Sequence, residues 1–357
     1  MDYKITQSVL LPEKPRPIVS IGTGGIVKDS HYPAYKKAGF TVAGLYDLNQ
    51  VRSAEMAELF HVPIIYPSLA DVVSQAPADA IFDIALPSPA LMDVLPYIPD
   101  GRSVLIQKPM GENLTEARKI RELCHIKHLT AAVNFQLRTA PVINAARSLI
   151  EQGAIGEIND MEVRVTAYTP WQLWSFLFGI PRVEILYHSI HYMDLMRSFL
   201  GNPKSVYAKT VKHPKQDQLA STRTNMILDY GDMLRSNIEV HHCHEFGRKY
   251  QESYVKWEGL NGAIIAVIGV NLGYPVGEQD SLEYSLLEDG TPTEWRKVPI
   301  DGRWFPDAFI GPMANLMRYT EGSSKEMPTS VDDAYQTMAL VEAAYQSSDG
   351  GGTPIPA

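Results

Sequence analysis

The chain contains little cysteine: Cys124 and Cys243 are the two among 357 residues. They lie far apart and form no CxxC pattern, so they neither require an oxidising compartment nor build a structural zinc site alone. No stretch approaches the roughly 18 apolar residues that a membrane-spanning helix needs. The N-terminal sequence lacks the basic and apolar regions of a signal peptide, so we expect a cytoplasmic protein.

Clusters of basic residues are also lacking. The formal net charge is −9, and no basic run exceeds a few residues, which argues against nucleic acid or an anionic membrane as partner. Hydrophobic residues make up 45% and charged residues 20%, an ordinary composition for a globular enzyme. A chain of 357 residues is too long for a single hydrophobic core, so two domains are expected.

Short apolar runs alternate with amphipathic stretches in the first part of the chain. This alternation predicts a parallel, doubly wound sheet in an N-terminal domain of residues 1–140. The predicted strands are 17–21, 41–46, 80–85, 103–106 and 130–133. The predicted helices between them are 30–38, 49–59, 90–98 and 114–127.

The pattern changes after Pro141. A helix over 142–152 should end at Gly153. Several alternating segments then predict a large, mostly antiparallel open sheet in an α+β domain of residues 141–357. The predicted strands are 158–166, 205–211, 223–230, 233–244, 254–258 and 263–268. Helices are expected near 307–320 and 331–346, followed by a surface extension from Ser347 onward.

The first predicted strand runs directly into a glycine-rich turn. Gly22 and Gly24, followed by Gly25, allow a sharp turn that brings backbone amides and a helix N-terminus close to a pyrophosphate. The third glycine position of the dinucleotide fingerprint is Val27 here. The second strand ends at Asp47, near the spacing expected for an acidic contact to a ribose, and no arginine follows immediately, which favours NAD over NADP. The alternative is an ordinary tight turn in which Asp47 caps the next helix.

The order of motifs resembles one oxidoreductase family. A GxGG turn, a strand ending in aspartate, Ala85-Leu-Pro-Ser-Pro89 and Gln107-Lys-Pro109 follow one another as in the glucose–fructose oxidoreductase/inositol dehydrogenase (Gfo/Idh/MocA) family. Further similar segments are Val133–Arg138, Gly153–Gly156, His191–Asp194 and Ala343–Ser348, so the resemblance covers nearly the whole chain. The chain departs from the family pattern at Gln107, where glutamate is usual, and at Tyr187, where aspartate is usual.

The resemblance implies a Rossmann domain that holds a nicotinamide cofactor across the carboxyl ends of its strands. It also implies a sugar, polyol or sugar acid as substrate and a homo-oligomer, a dimer or tetramer, assembled through the C-terminal sheet. The residues expected to contact NAD are Gly22, Thr23, Gly24, Gly25, Ile26, Asp47, Leu48, Leu86, Pro87, Ser88, Gln107, Lys108 and Gln136.

Oxidising an alcohol requires a hydride acceptor, a proton acceptor and a group that stabilises the developing alkoxide. Lys108 follows a strand at the carboxyl edge of the sheet, where its ammonium can hold the substrate hydroxyl; a solvated lysine is the alternative. The resemblance assigns His191 as the base, a role that suits an imidazole. Tyr187, on the same predicted helical face, is a third catalytic candidate. Tyr187 or His188 then completes a proton relay or binds a substrate hydroxyl, or both simply pack the helix.

Substrate contacts are predicted around the catalytic residues and in an aromatic segment before them. The candidates are Lys108, Asn134, Trp171, Trp174, Arg182, His188 and His191. The two tryptophans can stack on a sugar face, or they can be core or interface aromatics. The run His241–Glu245 carries metal-ligand residue types, but strand alternation separates them, and no metal is expected.

These residues predict an NAD-dependent dehydrogenase that oxidises a small sugar or polyol. The preferred substrate is an aldose, such as a pentose or a branched pentose like apiose, which is converted to its lactone. One alternative is glycoside cleavage through transient NAD-mediated oxidation. Another is a non-enzymatic regulator that binds NAD, although retention of Lys108 and His191 argues against it.

Overall fold

The computed structural model describes residues 3–273 and 276–356. Contacts divide the chain into two compact units. We call residues 8–140 with 305–338 the Rossmann unit, and residues 1–7, 141–304 and 339–357 the sheet unit. In this division, residues 305–338 belong with residues 8–140, whereas the sequence analysis placed them in the second domain. The domain bounds 1–140 and 141–357 stay a prediction.

The Rossmann unit is built on a parallel sheet of buried strands. The strands are β1 (Ile18–Ile21), β2 (Val42–Tyr46), β3 (Ile81–Ile84), β4 (Ser103–Ile106) and β5 (Thr130–Val133), in the order β2-β1-β3-β4-β5. A parallel bridge from Leu45 to Ile65 extends the sheet beyond β2. The chain adds β2 on one side of β1 and β3 on the other. The strand order therefore reverses between β1 and β3, the point at which doubly wound sheets bind ligands.

Helices connect these strands. They are α1 (Tyr32–Ala38), α2 (Gln50–Phe60), α3 (Leu69–Gln75), α4 (Leu91–Val94) and α5 (Leu114–Ile126). The predicted helix 90–98 is wrong: α4 is one turn long and Leu95–Tyr97 is a 3₁₀ turn, because Pro96 has no amide hydrogen to continue an α-helix. Helix α3 escaped prediction although Ser68 caps it by accepting a hydrogen bond from the amide of Asp71.

The sheet unit opens with α6 (Pro141–Glu151), and Gly153 follows it in the left-handed conformation at φ 76°. The strands of this unit are β6 (Ile158–Thr166), β7 (Ser205–Val211), β8 (Arg223–Asp229), β9 (Arg235–His241), β10 (Glu252–Gly259), β11 (Gly262–Val267), β12 (Ser281–Glu288), β13 (Thr291–Pro292) and β14 (Arg296–Val298). Their order is β13-β12-β11-β10-β6-β9-β8-β7, with β14 beside β12. The pair β6–β9 is parallel and the other described pairs are antiparallel, as predicted for a mostly antiparallel sheet.

Three helices complete the chain: α7 (Ile190–Leu200), α8 (Ile310–Glu321) and α9 (Val331–Gly350). The predicted surface extension from Ser347 is wrong at its start, since α9 continues to Gly350. The hydroxyl of Ser347 accepts a hydrogen bond from the amide of Ala208 at 2.9 Å, which ties this turn to β7. No helix within residues 3–273 and 276–356 is long and apolar enough to cross a membrane.

Candidate active site

The glycine turn lies between β1 and the helical turn that leads into α1. Gly22 has φ 92°, and a β-carbon there would stand 2.6 Å from the carbonyl oxygen of Ala85, so only glycine fits. At Gly24 and Gly25 a β-carbon would meet no atom within 4 Å. The chain therefore leaves open space over the first amides of the helix, the cradle that a pyrophosphate needs. Val27, at the third glycine position, is buried in the core beside Ile18 and Tyr32.

Asp47 is fixed against this turn. One of its carboxylate oxygens accepts hydrogen bonds from the amide and hydroxyl of Thr23, at 2.8 and 3.0 Å, and the other accepts from the amide of Asn49 at 2.8 Å. A carboxylate has about four acceptor sites, so one remains for a ribose hydroxyl. Asn49, not Asp47, caps α2, which removes the alternative that Asp47 acts as the helix cap. The guanidinium of Arg52 lies 3.6 Å from Asp47.

Three neighbouring strands end at the same edge of the sheet. The turn at Gly22 follows β1 and contacts Leu86 after β3, and the amide of Gln107 after β4 donates to the carbonyl of Ile84 at 3.0 Å. Lys108 is the next residue. Parallel strands present their carboxyl ends together, so the glycine turn and Lys108 lie at one edge of the Rossmann unit.

Lys108 has an unusual electrostatic environment. Although the residue keeps partial surface exposure, its ammonium group is buried, and this burial lowers the pKa of Lys108 from 10.5 to about 8. Loss of hydration disfavours the charged form of an amine. A lysine with such a pKa carries its proton at neutral pH and can exchange it near that range, which suits a group that handles a substrate hydroxyl.

A buried polar chain that the sequence reasoning missed supports the same edge. Asp83, in the middle of β3, accepts from Tyr35 at 2.9 Å and lies 2.8 Å from Nδ1 of His31. The Asn134 amide nitrogen lies 3.3 Å from His31 Nε2 and donates to the Gln107 side chain at 3.0 Å. Asn134 and Gln107 are therefore held in fixed orientations beside Lys108. The signal in the sequence was an aspartate inside the apolar run AIFDIA.

The remaining cofactor candidates of the Rossmann unit differ in exposure. Leu48 is 88% exposed, whereas Ser88 is buried and donates to Glu112. Gln136 is buried, and no described residue forms a hydrogen bond with its Oε1 atom. Likewise, no described residue forms a hydrogen bond with Oδ1 of the Asn134 side chain. Both side-chain amides therefore retain acceptor sites for a ligand at the end of β5. Ile26 is partly buried and Pro87 follows Leu86 before a short 3₁₀ turn.

His191 lies in the first turn of α7 in the sheet unit. A π-helical turn spans Ile185–Ser189, immediately before α7 begins at Ile190. The prediction that Tyr187 and His191 share one face was made for a regular α-helix, whereas the turn that holds Tyr187 is π-helical and contains more residues than an α turn. Such turns occur often at functional sites. The buried ring of His191 packs edge-on against Trp304 with 5.4 Å between ring centroids.

The two residues that the sequence offered as substitutes for the missing aspartate lie in different surroundings. Tyr187 packs against Phe176 and the apolar cluster of Leu177, Val183 and Leu219. His188 instead contacts two aromatic rings, Trp171 at 4.8 Å and His242 at 4.6 Å between centroids. Tyr187 therefore packs against apolar side chains, whereas His188 packs against an indole and an imidazole.

The predicted substrate-binding aromatics are not equivalent either. Trp171 is 2% exposed and belongs to a core cluster, while Trp174 is 36% exposed. Both terminal nitrogens of Arg182 donate to the carboxylate of Glu342, at 2.7 and 2.9 Å, so this guanidinium already has an acidic partner. Trp174 is the better candidate for stacking on a sugar.

The histidine-rich run after β9 forms no cluster of metal ligands. Within residues 3–273 and 276–356, no group of three or more histidine, cysteine or acidic side chains could hold a metal ion. His241 packs against His213, and burial is the main cause that lowers the pKa of His241 to about 4. His242 faces the other way and is buried near Glu184.

Fold and site together define an oxidoreductase with a dinucleotide-binding domain. Residues 17–135 match the NAD-binding Rossmann fold of the Gfo/Idh/MocA oxidoreductase family, and residues 147–356 match the C-terminal alpha/beta domain of that family. The chain therefore belongs to the Gfo/Idh/MocA family. The predictions of the fold class, of NAD as cofactor and of an oxidoreductase acting on CH–OH groups are confirmed at this level.

Curated relatives include two sugar dehydrogenases. The chain is 25% identical over 257 residues to D-apiose dehydrogenase of Rhizobium rhizogenes, which covers 70% of this chain and 71% of the relative. It is 22% identical over 338 residues to D-apiose dehydrogenase of Paraburkholderia graminis, covering 92% and 87%. Identities of 22% and 25% are too low to transfer the substrate of these relatives to this chain.

Solved structures show the same fold. An oxidoreductase from Agrobacterium radiobacter, in complex with NAD+, L-tartaric acid and magnesium, has a TM-score of 0.78 at 20% identity and covers 95% of this chain and 98% of its own. Levoglucosan dehydrogenase in complex with NADH and levoglucosan has a TM-score of 0.75 at 16% identity, with 94% and 98% covered. Both likenesses concern the fold.

Proposed function

We propose that this protein is an NAD-dependent dehydrogenase that oxidises a small aldose at its anomeric carbon to a lactone. The observation that carries the proposal is the common edge of β1, β3 and β4. This edge combines a glycine turn that only glycine can form with a lysine whose buried ammonium has a pKa of about 8.

The residues of the Rossmann unit fit the cofactor. Asp47 would accept from the ribose hydroxyls, and the first amides of the helix after Gly24 would bind the pyrophosphate. Leu86 and Gln107, at the ends of β3 and β4, would border the nicotinamide. Bound NAD supplies the hydride acceptor. Asn134 and Gln107, oriented by the buried chain from Asp83, hold this border rigid.

Lys108 and His191 divide the work on the substrate. Lys108, protonated below pH 8, donates a hydrogen bond to the reactive hydroxyl and favours its alkoxide. His191 takes the hydroxyl proton as general base. The C–H bond of the same carbon then breaks with its electron pair, leaving the carbonyl of the lactone. One hydroxyl proton and one hydride leave for each sugar oxidised.

A pentose or branched pentose is the substrate that we favour. D-Apiose dehydrogenases and D-xylose dehydrogenases, all between 22% and 25% identical to this chain, support this choice. The partly exposed Trp174 offers an aromatic face for a sugar ring. The test is a spectrophotometric screen for NADH across aldoses, polyols and sugar acids, with NAD and NADP in parallel.

The role of Lys108 is tested by K108M. This variant should still bind NAD while turnover falls at least about a hundredfold, because it loses the charge that acts on the hydroxyl. K36M is the matched control, since Lys36 is exposed on α1 and should leave turnover unchanged. Near-normal turnover of K108M would refute the assignment. Release of an aglycone from a glycoside without net NADH would instead indicate cleavage by transient oxidation.

The C-terminal sheet remains our proposed oligomer interface. Tyr207 on β7 and Ile227 on β8 lie directly opposite each other, and their side chains are 65% and 56% exposed. An exposed apolar pair on a sheet face favours burial against a second copy. Light scattering coupled to size exclusion should give a dimer or tetramer for the wild type and a smaller species for the Y207E/I227E variant.

A further inference from the structure

A buried carboxylate lies just before the helical segment that carries His191. The side chain of Glu184 is fully buried, and its oxygens accept hydrogen bonds from the hydroxyls of Ser189, at 2.6 Å, and of Thr224. Its backbone amide donates to Ser221 at 3.3 Å. Burying a carboxylate is costly unless polar groups surround it. The proposed reaction as described so far does not use this group.

The histidine that faces Glu184 is His242. His242 is 3% exposed, and its Nε2 atom lies 3.7 Å from the nearer carboxylate oxygen of Glu184. Its Nδ1 atom shares a hydrogen bond of 2.9 Å with the hydroxyl of Thr169. No described residue forms a hydrogen bond with Nε2, so Glu184 is the acidic group that this nitrogen faces.

His242 in turn contacts His188. The two rings lie 4.6 Å apart between centroids with 59° between their planes. The indole of Trp171 packs edge-on against both, at 4.8 Å from His188 and 5.5 Å from His242. Two buried rings, those of Trp171 and His242, therefore pack against His188. His188 follows Tyr187 directly and precedes His191 by three residues.

We propose that Glu184, acting through His242, is a positioning residue that orients His188 and strengthens it as a base, in place of the aspartate that is missing at Tyr187. His188 then works beside His191 in taking up the hydroxyl proton. This inference rests on the proposed function. In this arrangement the acidic group acts on His188 by way of His242 and does not belong to α7 itself.

Other titratable groups lie near this cluster. Tyr192 on α7 stays neutral, because burial first and Glu184 second raise its pKa. His241 stays neutral above pH 5, since its pKa lies at about 4. Asp194 lies 3.9 Å from Arg197 on the same helix. Glu184 is therefore the buried acidic group that faces His242.

The first experiment follows histidine titration by NMR in the full chain labelled with ¹⁵N-histidine. The signals are assigned with H188N and H242Q. In E184Q, the titration midpoint of His188 should fall by at least about half a pH unit, because the nearby carboxylate that strengthens it as a base is gone. T224V is the matched control, since it removes one hydrogen bond to Glu184 and keeps the charge, so its midpoints should move less.

The second experiment measures kinetics with an aldose that the wild type oxidises. E184Q should lower kcat about tenfold with little change in KM, and the acid limb of its pH profile should move to lower pH. H242Q should match this loss. The double variant should lose no more than either single variant, because both act through one chain of contacts.

Opposite results overturn the proposal. A folded E184Q protein with unchanged midpoints and wild-type kcat would show that Glu184 only fills the core. If E184Q fails to fold, H242Q tests the proposal instead. Wild-type kcat and an unchanged titration midpoint of His188 in H242Q would also overturn it. If the wild type oxidises no sugar, the proposed function fails, while the NMR titration still decides whether Glu184 is coupled to His188.

Discussion

The pH dependence of turnover follows from the burial of Lys108. Its pKa of about 8 lies below its ordinary value of 10.5, so the ammonium form predominates at pH 7 and disappears as the pH rises through 8. About nine-tenths of the lysine is protonated at pH 7 and about one-tenth at pH 9. If the ammonium holds the reactive hydroxyl, kcat/KM should fall nearly tenfold between these two values and about tenfold more by pH 10.

The assay is initial-rate NADH formation between pH 5.5 and 10 at fixed ionic strength, with the thermal stability of the enzyme checked at each pH. The acid limb should report the general base, since His191 must be neutral to accept a proton. K108R provides the matched variant. Arginine stays charged over this whole range, so the alkaline limb should vanish even though the plateau is lower.

Two results would refute this reasoning. An alkaline limb that persists unchanged in K108R would show that another group titrates. A wild-type rate that rises through pH 8 would mean that neutral Lys108 acts as the base instead of holding the hydroxyl as a cation.

Three further predictions concern the Rossmann unit. G22A should destabilise the protein by about 1–2 kcal/mol, because alanine disfavours positive φ, and it should bind NAD poorly. G25A should melt like the wild type but also bind NAD poorly. Thermal unfolding and calorimetric titration with NAD measure these two effects. D83N should cost about 3 kcal/mol by breaking a buried pair, and an unchanged melting temperature in calorimetry would contradict it. D47S should lower the preference for NAD over NADP at least tenfold in kcat/KM. The substitution removes the carboxylate that repels a 2′-phosphate and leaves Arg52 beside the ribose. An unchanged ratio would show that Asp47 does not select the cofactor.

The regular strands were predictable because their signal is local. The five strands of the parallel sheet agree with the sequence to within one residue at each end, since each is a short run of apolar residues on a sheet covered on both faces. Gly22 and Asp47 were also found, because strand, turn and spacing identify them together. Lys108 follows β4 as the sequence predicts.

The sequence-based predictions failed where contacts between distant parts of the chain determine the local structure. The π turn over Ile185–Ser189 has no sequence signal of its own, so the shared face of Tyr187 and His191 was inferred from a regular helix. Strand β12 escaped prediction although Leu282, Tyr284 and Leu286 alternate toward the interior.

Buried polar partners were the hardest to predict. Asp83 and His31 are 52 residues apart, and Glu184 meets a histidine that is 58 positions further along the chain. Pairings at such distances depend on the fold and leave only a charged residue in an apolar segment as a trace. The ends of the strands were therefore predictable from the sequence, whereas the network of buried polar groups behind them became visible only in the structure.

Isotope transfer tests the central claim most directly. The wild type is incubated with NAD and an aldose that carries deuterium at its anomeric carbon, and the reduced cofactor is analysed by mass spectrometry. We predict that each NADH formed carries one deuterium and that K108M, while still binding NAD, forms it at least about a hundredfold more slowly. Reduced cofactor without deuterium, or no reduced cofactor with any aldose, polyol or sugar acid, would contradict the account.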